Sequence, residues 1–276
     1  MYIVFDIGGT KMRIAGSKDG KELSTPVIVD TPKDFSKFEN LFKKAVDEIS
    51  NGEKILAVAG GVPGTLDEAH EKLLVCKNLQ GWINQPLHRT IADITKSFVF
   101  IENDTAMVGL GEAMDGAGKG FPIVAYITVS TGVGGSRVVD GKIDRTHFNF
   151  EPGYQIVDYN GEVSSLGDLV SGRAIAAKYG KHPAEITDPK VWNEVEKTFA
   201  VGVHNALLFW SPDAVIIGGS MVVKKVGISV DNVAKHVEKL LKAFPTVPVI
   251  KKAELADSGG LIGSLAYLRQ KLSLKS

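Results

Sequence analysis

Two stretches decide the architecture: YIVFDIGGTKMRIAGSKDG at residues 2–20 and IVAYITVSTGVGGSRVVDG at residues 123–141. In the first, an apolar β-branched run over 2–7 meets Gly8-Gly9-Thr10, resumes over 11–17 and stops at Asp19-Gly20, a hairpin turn signal. The second repeats the plan, with a strand over 123–129, the turn Ser130-Thr131-Gly132-Val133-Gly134-Gly135, a strand over 136–139 and the turn Asp140-Gly141. Two such units in one chain point to a duplicated architecture with a ligand held between the halves. Phe35, Phe38, Leu41, Phe42, Ala45, Val46 and Ile49 fall at helical spacing over 34–50, with Asp34 as the cap. Residues 55–59 then read as a buried strand running into Gly60-Gly61-Val62-Pro63-Gly64. Strand, helix and strand in succession mean α/β.

Further along, 97–101 reads as a strand ending in Glu102-Asn103-Asp104-Thr105, followed by a helix from Ala106 to Met114. Helices are expected over about 165–179, 193–210 and 229–243, with a short strand at 214–217 entering Gly218-Gly219-Ser220. A last helix follows Ser258-Gly259-Gly260 and runs to about Leu272.

Composition narrows the function classes. At 276 residues the chain has room for one large or two modest domains. Its 32 Lys+Arg balance 32 Asp+Glu, so no global field draws in nucleic acid or anionic lipid. Cys76 is the only cysteine; it cannot form an internal disulfide, and no thiolate set exists for a structural zinc. With no basic leader and no long apolar run, cytoplasm is the expected compartment and no membrane partner is expected.

The glycine turns carry the chemistry. Asp6-Ile7-Gly8-Gly9-Thr10-Lys11 sets an acid at a strand end, then residues whose amides can turn toward an anion, then a hydroxyl and a cation. Such a turn can cradle phosphates, with Asp6 holding a water of bound Mg²⁺. The same residues also read as an ordinary Gly-Gly hairpin with a solvated lysine. Thr131-Gly132-Val133-Gly134-Gly135 has the same character, and Gly218-Gly219 offers a third close backbone approach, suited to an adenosine or simply to packing. Asp104, beside Asn103, is placed to accept a proton from a sugar hydroxyl; either residue can equally cap the following helix. Glu151-Pro152-Gly153-Tyr154 supplies a carboxylate and a phenol, or only a turn.

In order, these motifs resemble the ROK family of sugar kinases and sugar-responsive repressors, across nearly the whole chain. DIGGTK at 6–11 resembles the family's phosphate motif, GGVPGTLD at 60–67 with KNLQGW at 77–82 its sugar-side loop, and ENDTAMVGLGEA at 102–113 the segment with the catalytic aspartate. TGVGG at 131–135 resembles the second phosphate loop, Ser171-Gly172 the following helix, and IIGGS at 216–220 the adenosine-side turn. The resemblance implies an α/β, two-lobed actin-like (ribonuclease H-like) ATPase fold with duplicated βββαβα units. One lobe would comprise residues 1–105 plus a C-terminal helix of about 262–276, the other 106–261, with nucleotide and sugar in the cleft between them. Asp104 would be the general base for the sugar's 6-hydroxyl. Asp6, Gly8, Gly9, Thr10, Lys11, Thr131, Gly132, Gly134, Gly135, Gly218 and Gly219 would hold Mg-ATP. Gly64, Thr65, Asn78, Asn103, Glu151, Tyr154 and Asp168 would line the sugar, and a homodimer is common in the family.

Two departures stand out. Tyr154 occupies the place where many members carry a histidine that joins a cysteine cluster, so no zinc is expected. The glutamate expected shortly before Ser-Gly is missing, and Asp168, one place after Gly167, is a partial substitute. The leading expectation is an ATP-dependent hexose kinase acting on glucose, with N-acetylglucosamine, N-acetylmannosamine and fructose as alternative acceptors. A non-catalytic sugar-binding regulator is the alternative of another class. A repressor is not expected, because Met1 precedes the phosphate motif directly and leaves no helix-turn-helix ahead of it.

Overall fold

The computed structural model describes residues 1–159, 163–223 and 226–274. It divides into two compact units: unit 1 holds Met1–Gly111, Arg145–Asn149 and the chain from Asp257 on, and unit 2 holds Glu112–Asp144 and Phe150–Ala256.

Unit 1 opens with β1 (Tyr2–Ile7), β2 (Lys11–Ser17) and β3 (Val27–Asp30), followed by α1 (Phe35–Ser50) and β4 (Ala57–Val62). The small hairpin β5 (Thr65–Leu66) and β6 (Leu73–Val75), then α2 (Leu87–Thr95) and β7 (Phe98–Asn103), lead into α3 (Asp104–Asp115). The sheet order is β3-β2-β1-β4-β7, with β1, β4 and β7 mutually parallel and β2 antiparallel to both its neighbours.

Unit 2 continues with β8 (Ile123–Val129), β9 (Val133–Val139), β10 (Lys142–Ile143), and the pair β11 (Ile156–Asp158) and β12 (Ser164–Ser165). After these come α4 (Leu166–Val170), α5 (Gly172–Tyr179), α6 (Pro189–Trp210), β13 (Ala214–Gly218), α7 (Ser220–Val223), α8 (Val230–Leu240) and β14 (Val249–Lys252). Its main sheet runs β10-β9-β8-β13-β14, the same order and the same parallel and antiparallel pattern as in unit 1. The last helix, α9 (Gly259–Leu272), belongs to unit 1.

Side-chain alternation explains the layers. On β1, Ile3, Phe5 and Ile7 face one way and pack with Phe38 and Phe42 of α1, whereas Val4 faces the other way and packs with Leu261, Leu265 and Leu268 of α9. Phe5 meets Phe42 edge-on at 5.6 Å between ring centroids, a favoured aromatic geometry. In unit 2, Ala125, Ile127 and Val129 of β8 pack with Phe199 and Val203 of α6 and with Val233 and Val237 of α8.

Several boundaries differ from the sequence reading, each for a tertiary reason. The strand expected over 55–59 starts later and runs through Gly60 and Gly61 to Val62. Gly60 lies over the Phe5 ring, where a Cβ would stand 2.2 Å from the ring, so the glycine serves packing rather than a turn. Likewise β9 starts at Val133, which leaves only Ser130-Thr131-Gly132 as the turn and places Gly134 and Gly135 inside the strand. Asp19-Gly20 is not a two-residue hairpin: nine residues, 18–26, separate β2 from β3, and Asp19 Oδ1 accepts from the amides of Lys21 and Glu22. Asp140-Gly141 does make a tight hairpin turn, both residues having positive φ (49° and 71°).

The helix expected over 165–179 is broken at Ser171, whose extended backbone ends α4 and whose Oγ caps α5 through Ala174 N. Helix α6 starts four residues earlier than expected because Asp188 caps it and Pro189 occupies its first position. Helix α3 starts at Asp104 rather than Ala106, and Gly259 and Gly260 lie within α9 rather than ahead of it.

Candidate active site

The C-terminal edge of the unit 1 sheet gathers the site. Asp6 is the next-to-last residue of β1; it pairs with Gly61 on β4, which in turn pairs with Glu102 on β7. Asn103 ends β7 and Asp104 starts α3, so both aspartates stand at one end of parallel strands. Directly after β1, Gly8-Gly9-Thr10 form the turn into β2, closed by Gly8 N–H donating to Lys11 O at 2.9 Å.

Asp6 is deeply placed, its side chain only 14% exposed. Arg13, opposite it on β2, sets Nη1 3.7 Å from Asp6 Oδ2 and Nη2 3.4 Å from Asp257 Oδ1. Burial, then the charge of Asp104, push the Asp6 carboxyl up to about 7 against the opposing pull of Arg13. From α9, Gly260 packs on this carboxylate: a Cβ there would stand 2.5 Å from Asp6 Cγ. Burial likewise raises Asp104 to about 6, partly offset by Thr105 N–H donating to Oδ1 at 2.7 Å. A carboxyl poised near neutrality is suited to accept a proton at physiological pH.

Asn103 both caps and braces. Its Oδ1 accepts from Ala106 N at 3.1 Å, and its Nδ2 donates to Gly64 O at 3.0 Å. Asn149 Nδ2 donates to the same carbonyl at 3.0 Å. Gly64 has φ +96°, and a Cβ there would lie 2.2 Å from Val75 O, so only glycine fits this corner. Thr65 follows at the start of β5, and Asn78 packs on Gly9, with its Cβ 2.9 Å from where a Gly9 Cβ would be. Unit 1 therefore brings together Asp6, Gly8, Gly9, Thr10, Asn78, Gly64, Thr65, Asn103 and Asp104. Lys11 turns elsewhere: its Nζ pairs with Asp30 at 2.7 Å.

Unit 2 carries the other turns. Ser130-Thr131-Gly132 is closed by Ser130 N–H donating to Gly132 O, while Ser130 O accepts from Gly172 N and Ser130 Oγ from Ser220 N, each at 2.8 Å. These bonds tie the turn to the starts of α5 and α7 and so to Gly218-Gly219. Gly219 has φ +95°, and a Cβ there would lie 2.3 Å from Val129 O. Thr131 and Gly132 are exposed, as a ligand turn requires, whereas Gly135 is buried against Pro152 and Trp210. Glu151 starts a short 3₁₀ turn through Tyr154, which is 57% exposed. Asp168 forms a capping box with Ser165, whose Oγ donates to Asp168 Oδ2 at 2.6 Å, so this carboxylate already serves the start of α4.

Arg13, Lys33, Asn149 and Asp257 were not singled out in the sequence, and Ser130 and Gly260 entered only as part of a turn and of a helix start. Each acts on a residue distant in the chain, or through its backbone, and only the flanking motifs pointed to their neighbourhood.

Among the described residues, no group of three His, Cys, Asp or Glu side chains converges to hold a metal. A hydrated Mg²⁺ carried on a triphosphate needs only a carboxylate or two from the protein. Asp6 fits that demand, since it shares the single guanidinium of Arg13 with Asp257 and is pushed up by the charge of Asp104. Nor, among the described residues, is any helix long and apolar enough to cross a membrane.

The chain is similar to known proteins along nearly its whole length. The chain is 26% identical to an N-acetyl-D-glucosamine kinase of Yersinia pseudotuberculosis, covering 96% of this chain and 97% of that protein. It is 25% identical to a glucokinase of Thermotoga maritima, covering 97% and 96%. Among solved structures, a ROK hexokinase from Thermus thermophilus matches with a TM-score of 0.83 at 25% identity, over 98% of this chain and 99% of that one. The duplicated sheets are those of the actin-like ATPase fold in the ROK structures. Since the ROK family model spans residues 2–271, from the first strand to the last helix, the chain belongs to the ROK family.

Proposed function

We propose that this protein is an ATP-dependent hexose kinase that transfers the γ-phosphoryl group to the 6-hydroxyl of glucose or a related hexose. The observation that carries the reading is Asp104, a half-buried carboxyl raised to about 6 at the sheet edge where the phosphate turn of residues 8–10 also lies. In the reaction, Asp104 takes the hydroxyl proton as the sugar oxygen bonds to the γ-phosphorus, the bond to the β-phosphate oxygen breaks, and ADP leaves. Amides of Gly9 and Thr10 would serve the phosphates, and Thr131, Gly132, Gly218 and Gly219 are the candidates in unit 2 for holding the nucleotide. Asp6 would hold Mg²⁺ through water; the ion neutralises charge on the phosphoryl oxygens. Gly64, Thr65, Asn78 and Asn103 would line the sugar together with Glu151 and Tyr154.

An N-acetylhexosamine acceptor is the second reading, favoured by the N-acetylglucosamine kinase among the relatives. The test is coupled ADP release from Mg-ATP with glucose, fructose, mannose, N-acetylglucosamine and N-acetylmannosamine. Turnover on glucose above the others supports the first reading, and preference for an N-acetyl sugar supports the second. No turnover with any sugar, while calorimetry still detects sugar binding, refutes the kinase reading and favours a sugar-binding regulator.

A further inference from the structure

Residues 31–33, just ahead of the Asp34 cap of α1, hold the phosphate turn by every carbonyl it has. Thr31 Oγ1 donates to Gly8 O at 2.8 Å, Lys33 Nζ donates to Gly9 O at 2.7 Å, and Thr31 N–H donates to Thr10 O at 2.9 Å. The described chain has no cis peptide bonds. In a trans peptide the N–H points opposite to the carbonyl that precedes it. Pinning the carbonyls of Gly8 and Gly9 therefore aims the amides of Gly9 and Thr10 away from residues 31–33, as a preformed anion nest requires.

The same three residues also grip the loop that resembles the sugar side. Lys33 Nζ donates a second bond, to Asn78 O at 2.9 Å, and Trp82 Nε1 donates to Pro32 O at 3.0 Å. Gly81 lies against the Lys33 carbonyl, where a Cβ would come within 2.5 Å. Trp82 is 1% exposed and packs on Phe38 at 4.5 Å between centroids, so the grip is anchored in the core. Lys33 itself is exposed, and among the described residues it pairs with no carboxylate. Its ammonium has three donors; two of them join Gly9 to Asn78.

We propose that Thr31-Pro32-Lys33 is a positioning bracket, in which Lys33 couples the phosphate turn to the sugar-side loop so that sugar and nucleotide each tighten binding of the other. This inference rests on the kinase reading. Ordering of residues 77–82 by sugar fixes Asn78 O, and through Lys33 Nζ it fixes the Gly9 peptide and hence the amides offered to phosphate. A coupling of this kind is reciprocal.

The test is calorimetry of sugar binding with and without Mg-AMPPNP, on the wild-type protein and on Lys33→Met, Lys33→Arg and Thr31→Val, alongside steady-state kinetics. The wild-type protein should bind sugar at least about 5-fold more tightly with the nucleotide analogue present. Lys33→Met should bring that ratio close to one while KM for ATP rises, and Lys33→Arg, which keeps the donors, should restore part of it. Thr31→Val should weaken nucleotide binding and leave sugar binding alone. Wild-type protein that phosphorylates sugar without coupling, or Lys33→Met protein with the wild-type ratio, overturns the bracket but not the kinase. Wild-type protein that binds neither ligand overturns both.

Discussion

Replacing Asp104 by asparagine should abolish most of the activity and make the protein more stable. The Asp104 carboxyl ordinarily titrates at 3.8 and here at about 6 because burial disfavours its charge. The folded chain thus binds this proton more tightly than the unfolded chain. The cost of the charge is absent below about pH 4, grows between 3.8 and about 6, and is complete above that. The gap corresponds to roughly 3 kcal/mol at most, and the partial exposure of Asp104 lowers the expected gain to about 1–3 kcal/mol. Asparagine keeps an oxygen for Thr105 N–H, so the helix start is preserved. Removing this charge also relieves Asp6, which it helps to raise. Thermal melts at pH 8 should show Asp104→Asn melting roughly 2–10 °C above wild type, with the difference vanishing near pH 4. Turnover in the coupled assay should fall about 10²–10⁴-fold with sugar affinity little changed. An Asp104→Asn protein no more stable than wild type at pH 8, or one within tenfold of its turnover, would refute the reasoning.

Other substitutions probe the surroundings. Gly260→Ala places a methyl on the Asp6 carboxylate and should cost about 1–3 kcal/mol, with KM for Mg-ATP rising; an unchanged melt and KM would mean that α9 yields freely. Arg13→Met leaves Asp6 and Asp257 without their cation. The loss should be roughly 3 kcal/mol at pH 8 and smaller at about pH 5.5, where Asp6, titrating at about 7, is protonated; denaturant melts at the two pH values read the difference. Lys11→Ala removes a pair whose side chains are 51% and 82% exposed, so stability should change by no more than about 1 kcal/mol and KM for ATP should stay near wild type. A tenfold rise in that KM would show that the ammonium leaves Asp30 for phosphate.

What could be read from the residues alone was local and periodic. The strands β1, β2 and β8 follow from apolar runs bounded by glycine, α1 from its phenylalanine spacing and Asp34 cap, and the Asp140-Gly141 turn from its left-handed demand. Hidden features depended on distant partners. Gly60 looks like a turn residue until Phe5 is seen beneath it, and Gly260 looks like a helix breaker until Asp6 is seen against it. The strand β14 has an exposed, lysine-bearing pattern that announces nothing without β13 beside it. In the site, the aspartates and glycine turns were legible because their chemistry is written in residue type. Arg13, Lys33 and Asn149 were not, because what matters is which backbone or carboxylate each reaches.

The duplication itself explains how labour is divided. Asp6 and Thr128 hold the same place in the two sheets: each is the next-to-last residue of the first strand, and each pairs with a glycine on the adjacent parallel strand, Gly61 for Asp6 and Gly218 for Thr128. On the antiparallel neighbour, Arg13 faces Asp6 while Gly134 faces Thr128. One frame therefore carries a carboxylate, its guanidinium and a second carboxylate at Asp104, and the other carries a hydroxyl between glycines. A triphosphate bears several negative charges, and each fixed carboxylate near it raises the cost of binding unless a cation intervenes. On the proposed kinase reading, a neutral, glycine-lined turn in unit 2 would meet phosphate oxygens with backbone amides alone, while unit 1 would supply the acids that take a proton and hold a dication. On this reasoning Thr128→Asp, a change that restores the symmetry of the two units, should weaken nucleotide binding by roughly 1 kcal/mol or more. Because sugar recognition is assigned chiefly to unit 1, sugar affinity measured without nucleotide should stay at the wild-type value; equal loss for both ligands would argue against the division.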